Sequence, residues 1–425
     1  MANSVTYAKV SDFSKAYKRS STKLYRQYTR RVAEYGWMDE VPDEDIIPSG
    51  RENLVPVDLN RGYGAAMIED GGYEAVTDSP SIDEGAFVFN HCNARFSISL
   101  RSQAFDRAAK GNTVIRQIKL QSLKSVEAVM RKFGLMYYGF STGVLCKLNG
   151  DPGAAANTHT LTLKDAFGVA GVGSAAYLTG MFSVGENIAL IRAGALVANA
   201  IGKVTAIDDT AGTVDVQWSG GNNVDPADGD SIVFANTVTD ATITATDYNK
   251  WNIGKLDVLT STSLLGLTGG TTNPAWNPAL YDTNGGSFGF VKVKQLRQAL
   301  ENKGDTTLRR LILANGVEND MQARERGALI WSDSGSMNLD ANVRARGVRF
   351  DTSRFCPNGF AFAEGADAVG KKILTEKPDE EELIDFGKLF KAEDRSALKG
   401  GVDLISAFIP HARSRQAAFG SLNEQ

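Results

Sequence analysis

Side chains that commonly carry chemistry are sparse in this chain. It has three histidines, His91, His159 and His411, and none stands at metal-ligand spacing from another histidine or a cysteine. His91 and Cys92 are adjacent on an expected strand, where neighbouring side chains point to opposite faces, so the two cannot act on one atom. Cys92, Cys146 and Cys356 are far apart and odd in number, which argues against a disulfide framework and fits a reducing compartment. No nucleophile elbow, zinc-protease helix, P-loop or dinucleotide fingerprint lies between a strand and a helix. Gly139, Gly143, Gly150 and Gly153 run through a small-residue segment, but no Lys-Ser/Thr pair ends it, and it reads as backbone freedom. Asp225, Asp228 and Asp230 resemble a calcium loop. The glycine and closing glutamate such a loop needs are out of register, which leaves an acidic turn between strands. The acidic run at 379–385 reads as a cation ligand set or as a solvated helix start facing the positive end of the dipole. The expectation is no metal, no cofactor and no catalysis. The remaining catalytic reading is a carbohydrate-active enzyme whose paired carboxylates are brought together only by the fold.

The elements are more informative than these residues. Residues 105–138 read as one long helix with no proline. Val126, Val129, Met130 and Phe133 recur at the spacing of a buried stripe, and Ile115 and Ile118 extend it. Arg107, Lys110, Arg116, Lys119, Lys124, Arg131 and Lys132 occupy the other faces, opposed by Asp106 and Glu127. Such a helix suits a beam better than a reaction site.

Before it, bases from Lys9 to Arg31, among them Arg26, Arg30 and Arg31, face one acid, Asp12. Tyr17, Leu24, Tyr28, Val32 and Tyr35 share one helical face. The segment reads either as a solvated surface helix or as an arm that meets a polyanion or an acidic neighbour. Residues 61–104 read as a long β-hairpin, with Gly71-Gly72 as a turn signal and period-two spacing of Phe87, Phe89, Phe96, Ile98 and Leu100. Its apolar content is too thin to fold alone, so it needs its own domain or another subunit to lie on.

A composition shift begins near Asp151. From there to Thr246 ten acids face three bases, Lys164, Arg192 and Lys203. Candidate strands at 160–163, 187–192, 203–208, 213–218 and 231–234, separated by turn clusters, suit a small closed barrel or sandwich inserted into the main fold. Residues 247–345 return to mixed structure, with helices expected at 291–302 and 316–331 and a buried strand at 308–313. Short strands follow 346. At 425 residues the chain holds two or three cores. It has no apolar run of membrane length and no secretory signal.

In order and character these parts resemble the major capsid proteins of tailed bacteriophages, the Hong Kong 97-type α+β fold. The resemblance is strongest to members with an inserted β domain. It implies an N-terminal arm at 1–60, an extended loop at 61–104 and the spine helix with the start of the peripheral domain at 105–154. The inserted β domain follows at 155–246, facing outward, then the axial domain at 247–345 and the return strands at 346–425. It further implies a non-catalytic virion protein, assembled in the host cytoplasm into hexamers and pentamers of an icosahedral shell. Scaffolding and decoration proteins are possible partners, packaged DNA is met through non-specific contacts, and no membrane is involved.

Inter-subunit contacts are expected at Tyr17, Arg26, Arg30, Arg31, Phe87, Phe89 and Phe96. Arg116, Lys119, Lys124 and Arg131 should face the genome or an acidic neighbour. The arm and the loop should be the least ordered parts of a free subunit. About sixty residues precede the loop, shorter than a fused scaffold, so a separate scaffolding protein or none is expected. Residues 61–104 contain no lysine, which argues against the covalent crosslinking some members perform from that loop. Two other readings are a nucleic-acid-binding protein with an acidic β domain and a tail-tube subunit, though tube subunits are mainly β and lack the long helix.

Overall fold

The structure is a computed structural model. It describes residues 48–49, 52–58, 82–87, 89–99, 112–235, 246–271, 273–304, 306–325, 344–345, 348–366, 368–373, 390–391 and 397–424, with Glu34 and Trp37. The chain divides into two compact units. One takes Met1–Asp45, Phe89–Gly134 and Lys371–Ala407, and the other takes Ile46–Val88, Leu135–Gly370 and Phe408–Gln425.

In the first unit a helix begins at Asn112 and runs to Tyr138, its last residues lying in the second unit. The expected start, 105–111, lies outside the described residues. Val126, Val129, Met130 and Phe133 are each at most 1% exposed, as the apolar stripe requires. Leu120, Gln121, Lys124, Glu127 and Ala128 are exposed, so the outward face is mixed rather than purely basic. Glu127 stands four residues before Arg131, the favourable order for an acid–base pair on a helix. The other major feature is the strand Asn90–Ser99, which pairs antiparallel with Ala397–Pro410, from Asn90 opposite Ser406 to Ser99 opposite Ala397.

The core of the second unit is a mixed six-stranded sheet. Its order is Leu280–Asp282, Gln416–Phe419, Ala361–Gly365, Leu308–Leu313, Val348–Thr352 and Arg344–Ala345. Leu308–Leu313 runs parallel to Val348–Thr352 and antiparallel to Ala361–Gly365. Every residue of Ala361–Gly365 is buried, so this strand is covered on both faces. The expected helices appear at Phe290–Ala299, continuing as a π-helical turn over Leu300–Gly304, and at Asn315–Glu325.

Six strands of the same unit, Cys146–Leu148, Thr158–Lys164, Asn187–Arg192, Ala195–Asp208, Thr213–Trp218 and Ser231–Phe234, close into a barrel. Thr158–Lys164 alternates, with His159, Leu161 and Leu163 buried. A two-residue turn, Ala193 and Gly194 with φ of 48° and 83°, joins Arg192 to Ala195, the paired positive φ values of a tight hairpin. A Cβ on Gly202 would lie 2.6 Å from Trp218 Cε3 and from Val216 Cγ1, so glycine there lets the indole fill the barrel.

Strand pairing differs from the sequence reading in one place. Ile82–Phe87 pairs with Glu52–Asp58, a segment the sequence reading gives to the arm, and Asn90–Ser99 pairs with the C-terminal Ala397–Pro410. Alternation identifies a strand and its buried face but not its partner, which the surrounding fold selects. The proposed turn at Gly71-Gly72 lies outside the described residues. No described helix is long and apolar enough to cross a membrane.

The expectation that the loop is poorly ordered in a free subunit does not suit Asn90–Ser99, whose ladder partner lies in the same chain, so in an isolated, unassembled chain the amides this strand gives to its ladder should exchange slowly. Hydrogen exchange at the rate of an unfolded peptide along this strand would contradict the pairing.

Candidate functional site

The most concentrated polar chemistry of the second unit lies across its sheet. Gln416 stands opposite Glu364, and Glu364 opposite Arg310, on three adjacent strands. Arg349 pairs with Arg310 in the next strand, and Asp351 lies two residues on, on the same face. All four side chains of the row Gln416, Glu364, Arg310 and Asp351 are buried. Arg310 reaches Glu364 (Nη1–Oε2, 3.5 Å) and Asp351 (Nε–Oδ2, 3.4 Å).

Two helices supply the rest. Lys255 opens the short helix Lys255–Thr260 and makes an ion pair with Glu364. Its Nζ donates to Gln416 Oε1 at 3.3 Å and lies 5.4 Å from the centre of the Tyr137 ring. Tyr137, at the end of the long helix, donates its hydroxyl to Glu364 Oε1 at 2.8 Å. Gly254 sets this approach. A Cβ there would stand 2.2 Å from the Gly139 carbonyl oxygen and 2.6 Å from that of Met136, so only glycine brings Lys255 so near Tyr137. The far end of the short helix is held by Arg413, which donates to the Val258 and Ser261 carbonyls at 2.6 and 2.7 Å. Burial pulls the Arg413 guanidinium down to about 10, against the opposing pull of Asp257.

Burial alone would raise the Glu364 carboxyl. The nearby Lys255 and Arg310 charges, with hydrogen bonds from Lys255 and Tyr137, outweigh burial and hold it below the ordinary range. Burial lowers the Lys255 ammonium, and Glu364 opposes that only in part. Two cations and a phenol converge on the Glu364 carboxylate and favour its charged form. The sequence reading passed over this cluster. Its one signal was Arg310 inside a strand read as buried, since a buried guanidinium requires anionic partners.

The barrel accounts for the residues that attracted attention in the sequence. Trp218 Nε1 donates to His159 Nδ1 at 2.8 Å, and His159 Nε2 lies 3.2 Å from the Ala154 carbonyl oxygen. An indole nitrogen only donates, so Nδ1 accepts and Nε2 carries the proton to Ala154. His159 is committed to the barrel wall. Asp230 takes a two-pronged pair from Arg192 at 2.7 and 2.8 Å and accepts from the Ala227 amide at 2.9 Å. Asp228 accepts from Lys164 and from the Gly150 amide, at 2.6 and 2.8 Å, and these hydrogen bonds hold it below the ordinary carboxylate range. The DPADGD turn is therefore tied by cations of its own barrel. Among the described residues no cluster of three or more His, Cys, Asp or Glu side chains could hold a metal ion.

The residues expected at interfaces fall as follows. Tyr17, Arg26, Arg30 and Arg31 lie outside the described residues. Phe87 is buried within its own chain, which leaves it little surface to give a neighbour, while Phe89 is half-buried. Phe96 sits in the Asn90–Ser99 strand opposite Gly400. Arg116 and Lys119 lie in the long helix. Lys124 is exposed and Arg131 half-buried on that helix, seven residues and two turns apart.

Protonating Glu364 should destabilise the protein. Its contribution is full above the unfolded carboxyl value, about 4.3, and is lost as pH falls through the lower folded value. Glu364→Gln should remove that acid dependence from the melting temperature. It should also cost about 3–5 kcal/mol at neutral pH, as removal of one partner from a buried pair does.

No protein-family model matches the sequence, and no curated protein does. Solved structures do match. A chain of the cyanophage A-1(L) capsid asymmetric unit aligns over 92% of this chain and 93% of its own, at 9% identity and a TM-score of 0.52. A chain of Mycobacterium phage Adephagia aligns over 90% and 89%, at 8% identity and a TM-score of 0.39. A chain of an encapsulin complex from Synechococcus elongatus aligns over 40% and 57%, at 12% identity and a TM-score of 0.27. The first likeness spans both units and the barrel, and it shows that this chain carries a phage capsid protein fold.

Proposed function

We propose that this chain is the major capsid protein of a tailed double-stranded DNA phage, a structural subunit that assembles with copies of itself into the closed shell around the genome. The observation that carries this reading is the shared fold with the cyanophage capsid chain across nearly the full length of both. A shell subunit meets several neighbours at once, and weak contacts summed over a closed lattice give a stable particle. The segment 1–60 serves as the arm and the tip of the loop within 61–104 reaches a neighbour. The barrel within 155–246 is the outward insertion, residues 247–345 supply the axial domain, and the strands after 346 complete the periphery.

Charge segregation supports this orientation. The acidic surface belongs to the inserted domain, and acid is better placed away from packaged DNA. Arg116, Lys119, Lys124 and Arg131 are then available to the genome or to an acidic patch of a neighbour, through contacts that read no base sequence. Phe89, Phe96 and the arm residues Tyr17, Arg26, Arg30 and Arg31 take the inter-subunit role. A scaffolding or decoration protein can join such a shell, which resides in the virion.

Electron microscopy of the expressed chain, alone and with a co-expressed scaffold from an adjacent reading frame, should show shells or hexameric sheets. Monodisperse monomers under all conditions would refute the reading, and tight salt-sensitive DNA binding by the monomer would favour a nucleic-acid-binding protein. Changing Arg116, Lys119, Lys124 and Arg131 together to Gln should lower particle yield or DNA content severalfold while leaving circular dichroism and melting temperature nearly unchanged. A variant that fails to fold would assign these side chains to internal contacts instead.

A further inference from the structure

The barrel wall opens into a groove beside a wide bulge. Ala189 pairs with Ile201 and Ile191 with Leu196, so residues 197–200 stand against Leu190 alone. A bulge turns side chains out of the ladder. Asn199 takes a φ of 58° there, and Leu196 and Val197 are only half-buried. The groove holds about 490 Å³ and is lined by this bulge and by the turn that carries Asn223 and Asp225. Backbone hydrogen bonds between Ala156 and Val224 run in both directions, at 3.0 and 3.1 Å, and fix that turn. Arg192 lines the groove as well. Its Nε and Nη2 are spent on Asp230 and on the Asp225 carbonyl oxygen. Among the described residues nothing accepts from Nη1, and nothing donates to the Asp225 carboxylate. A second cleft of about 280 Å³ shares Arg192 and Ala193 with the groove and has Tyr248 in its wall.

We propose that these joined clefts bind a neutral saccharide of two or more units. The ligand class follows from the lining. The charged residues of the larger groove, Arg192 and Asp225, have opposite signs. An anion there meets the carboxylate and a cation meets the guanidinium, so neither gains from both. A neutral hydroxyl does gain from both, because it donates to Asp225 and accepts from Arg192 Nη1. Adjacent hydroxyls of a sugar ring need this alternation of donors and acceptors, and the amides of Asn199 and Asn223 supply more of each. The apolar floor of Leu196 and Val197 suits the C–H face of a pyranose, and the Tyr248 ring offers the same in the smaller cleft. Leu196 and Tyr248 rest on the packed cluster of Val144, Ala189, Ile191 and Val233, so the apolar surface is set before a ligand arrives. Such a site serves an isolated subunit and a shell alike.

An array of neutral, sialylated and sulfated glycans, probed with the full chain, tests this directly. Binding should fall on neutral glycans, and titration calorimetry with the best of these as a free oligosaccharide should return a millimolar Kd or tighter. Asp225→Ala and Asn223→Ala, both at exposed positions, should each weaken that binding about tenfold, as loss of one hydrogen bond does, with the melting temperature unchanged. Val197→Asp should abolish it by placing a charge on the apolar floor. Lys203→Ala, exposed on the same strand but outside both clefts, should bind as the wild type does. If Val197→Asp fails to fold, the two exposed variants decide. Silence on every neutral glycan would overturn the proposal, as would binding confined to sialylated or sulfated glycans. Undiminished binding by both Asp225→Ala and Asn223→Ala would overturn it too, by placing the saccharide elsewhere.

Discussion

The second unit depends on balancing four buried charges. Lys255, Arg310, Asp351 and Glu364 are each buried, and they sum to zero. Removing a carboxylate or an ammonium from water costs several kcal/mol per ion even after the protein relaxes. The row is therefore tolerable only with every member in place. That demand reaches far along the chain, because its members come from one helix and three strands. Gly254 must remain without a side chain for Lys255 to arrive. Tyr137 must end the long helix at the right turn. Arg413 must hold the short helix from its other end. A neutral apolar core of the same volume would be at least as stable, so the row is better understood as fixing register. A one-residue slip of any of its strands would turn its charge to the other face.

The barrel follows a different logic. Closure leaves it without edge strands, the usual route by which an exposed sheet recruits another chain. Two of its three bases, Arg192 and Lys164, are tied to Asp230 and Asp228. Pairing within the barrel neutralises those two acids and leaves the domain's excess of acid unmatched. The barrel thus carries an excess of acid, and its described strands form a closed ring with no edge. On the proposed capsid reading, such a domain can be displayed in many copies without joining them.

Much of this was legible in the sequence, and the limits have physical causes. The long helix was readable because a narrow stripe of Val126, Val129, Met130 and Phe133 has only one periodic interpretation. Five barrel strands were readable because turn clusters separate short alternating runs, although period two left barrel and sandwich unresolved. Strand partners were not readable. The pairing of Asn90–Ser99 with Ala397–Pro410 spans some three hundred residues, and nothing local encodes it. The charge row was unreadable for the same reason, since Lys255, Arg310, Glu364 and Gln416 become neighbours only after the sheet forms. A scan for compact motifs looks for spacing along the chain and misses groups that a sheet brings together.

The same contrast bears on where such a chain can vary. At 9% identity the cyanophage chain retains the fold, so the fold does not require most particular side chains. It requires a buried stripe on the long helix, a covered mixed sheet and turns with the right backbone. Within those limits the interior can be polar, provided its charges cancel. The outward helix face can mix Lys124 with Glu127, provided no strand is left to polymerise. On the capsid reading proposed above, assembly rests on surfaces added to a frame whose own stability is secured inside a single chain. Residues committed to internal pairing, such as His159, Asp230 and Phe87, are therefore the wrong places to look for contacts between copies.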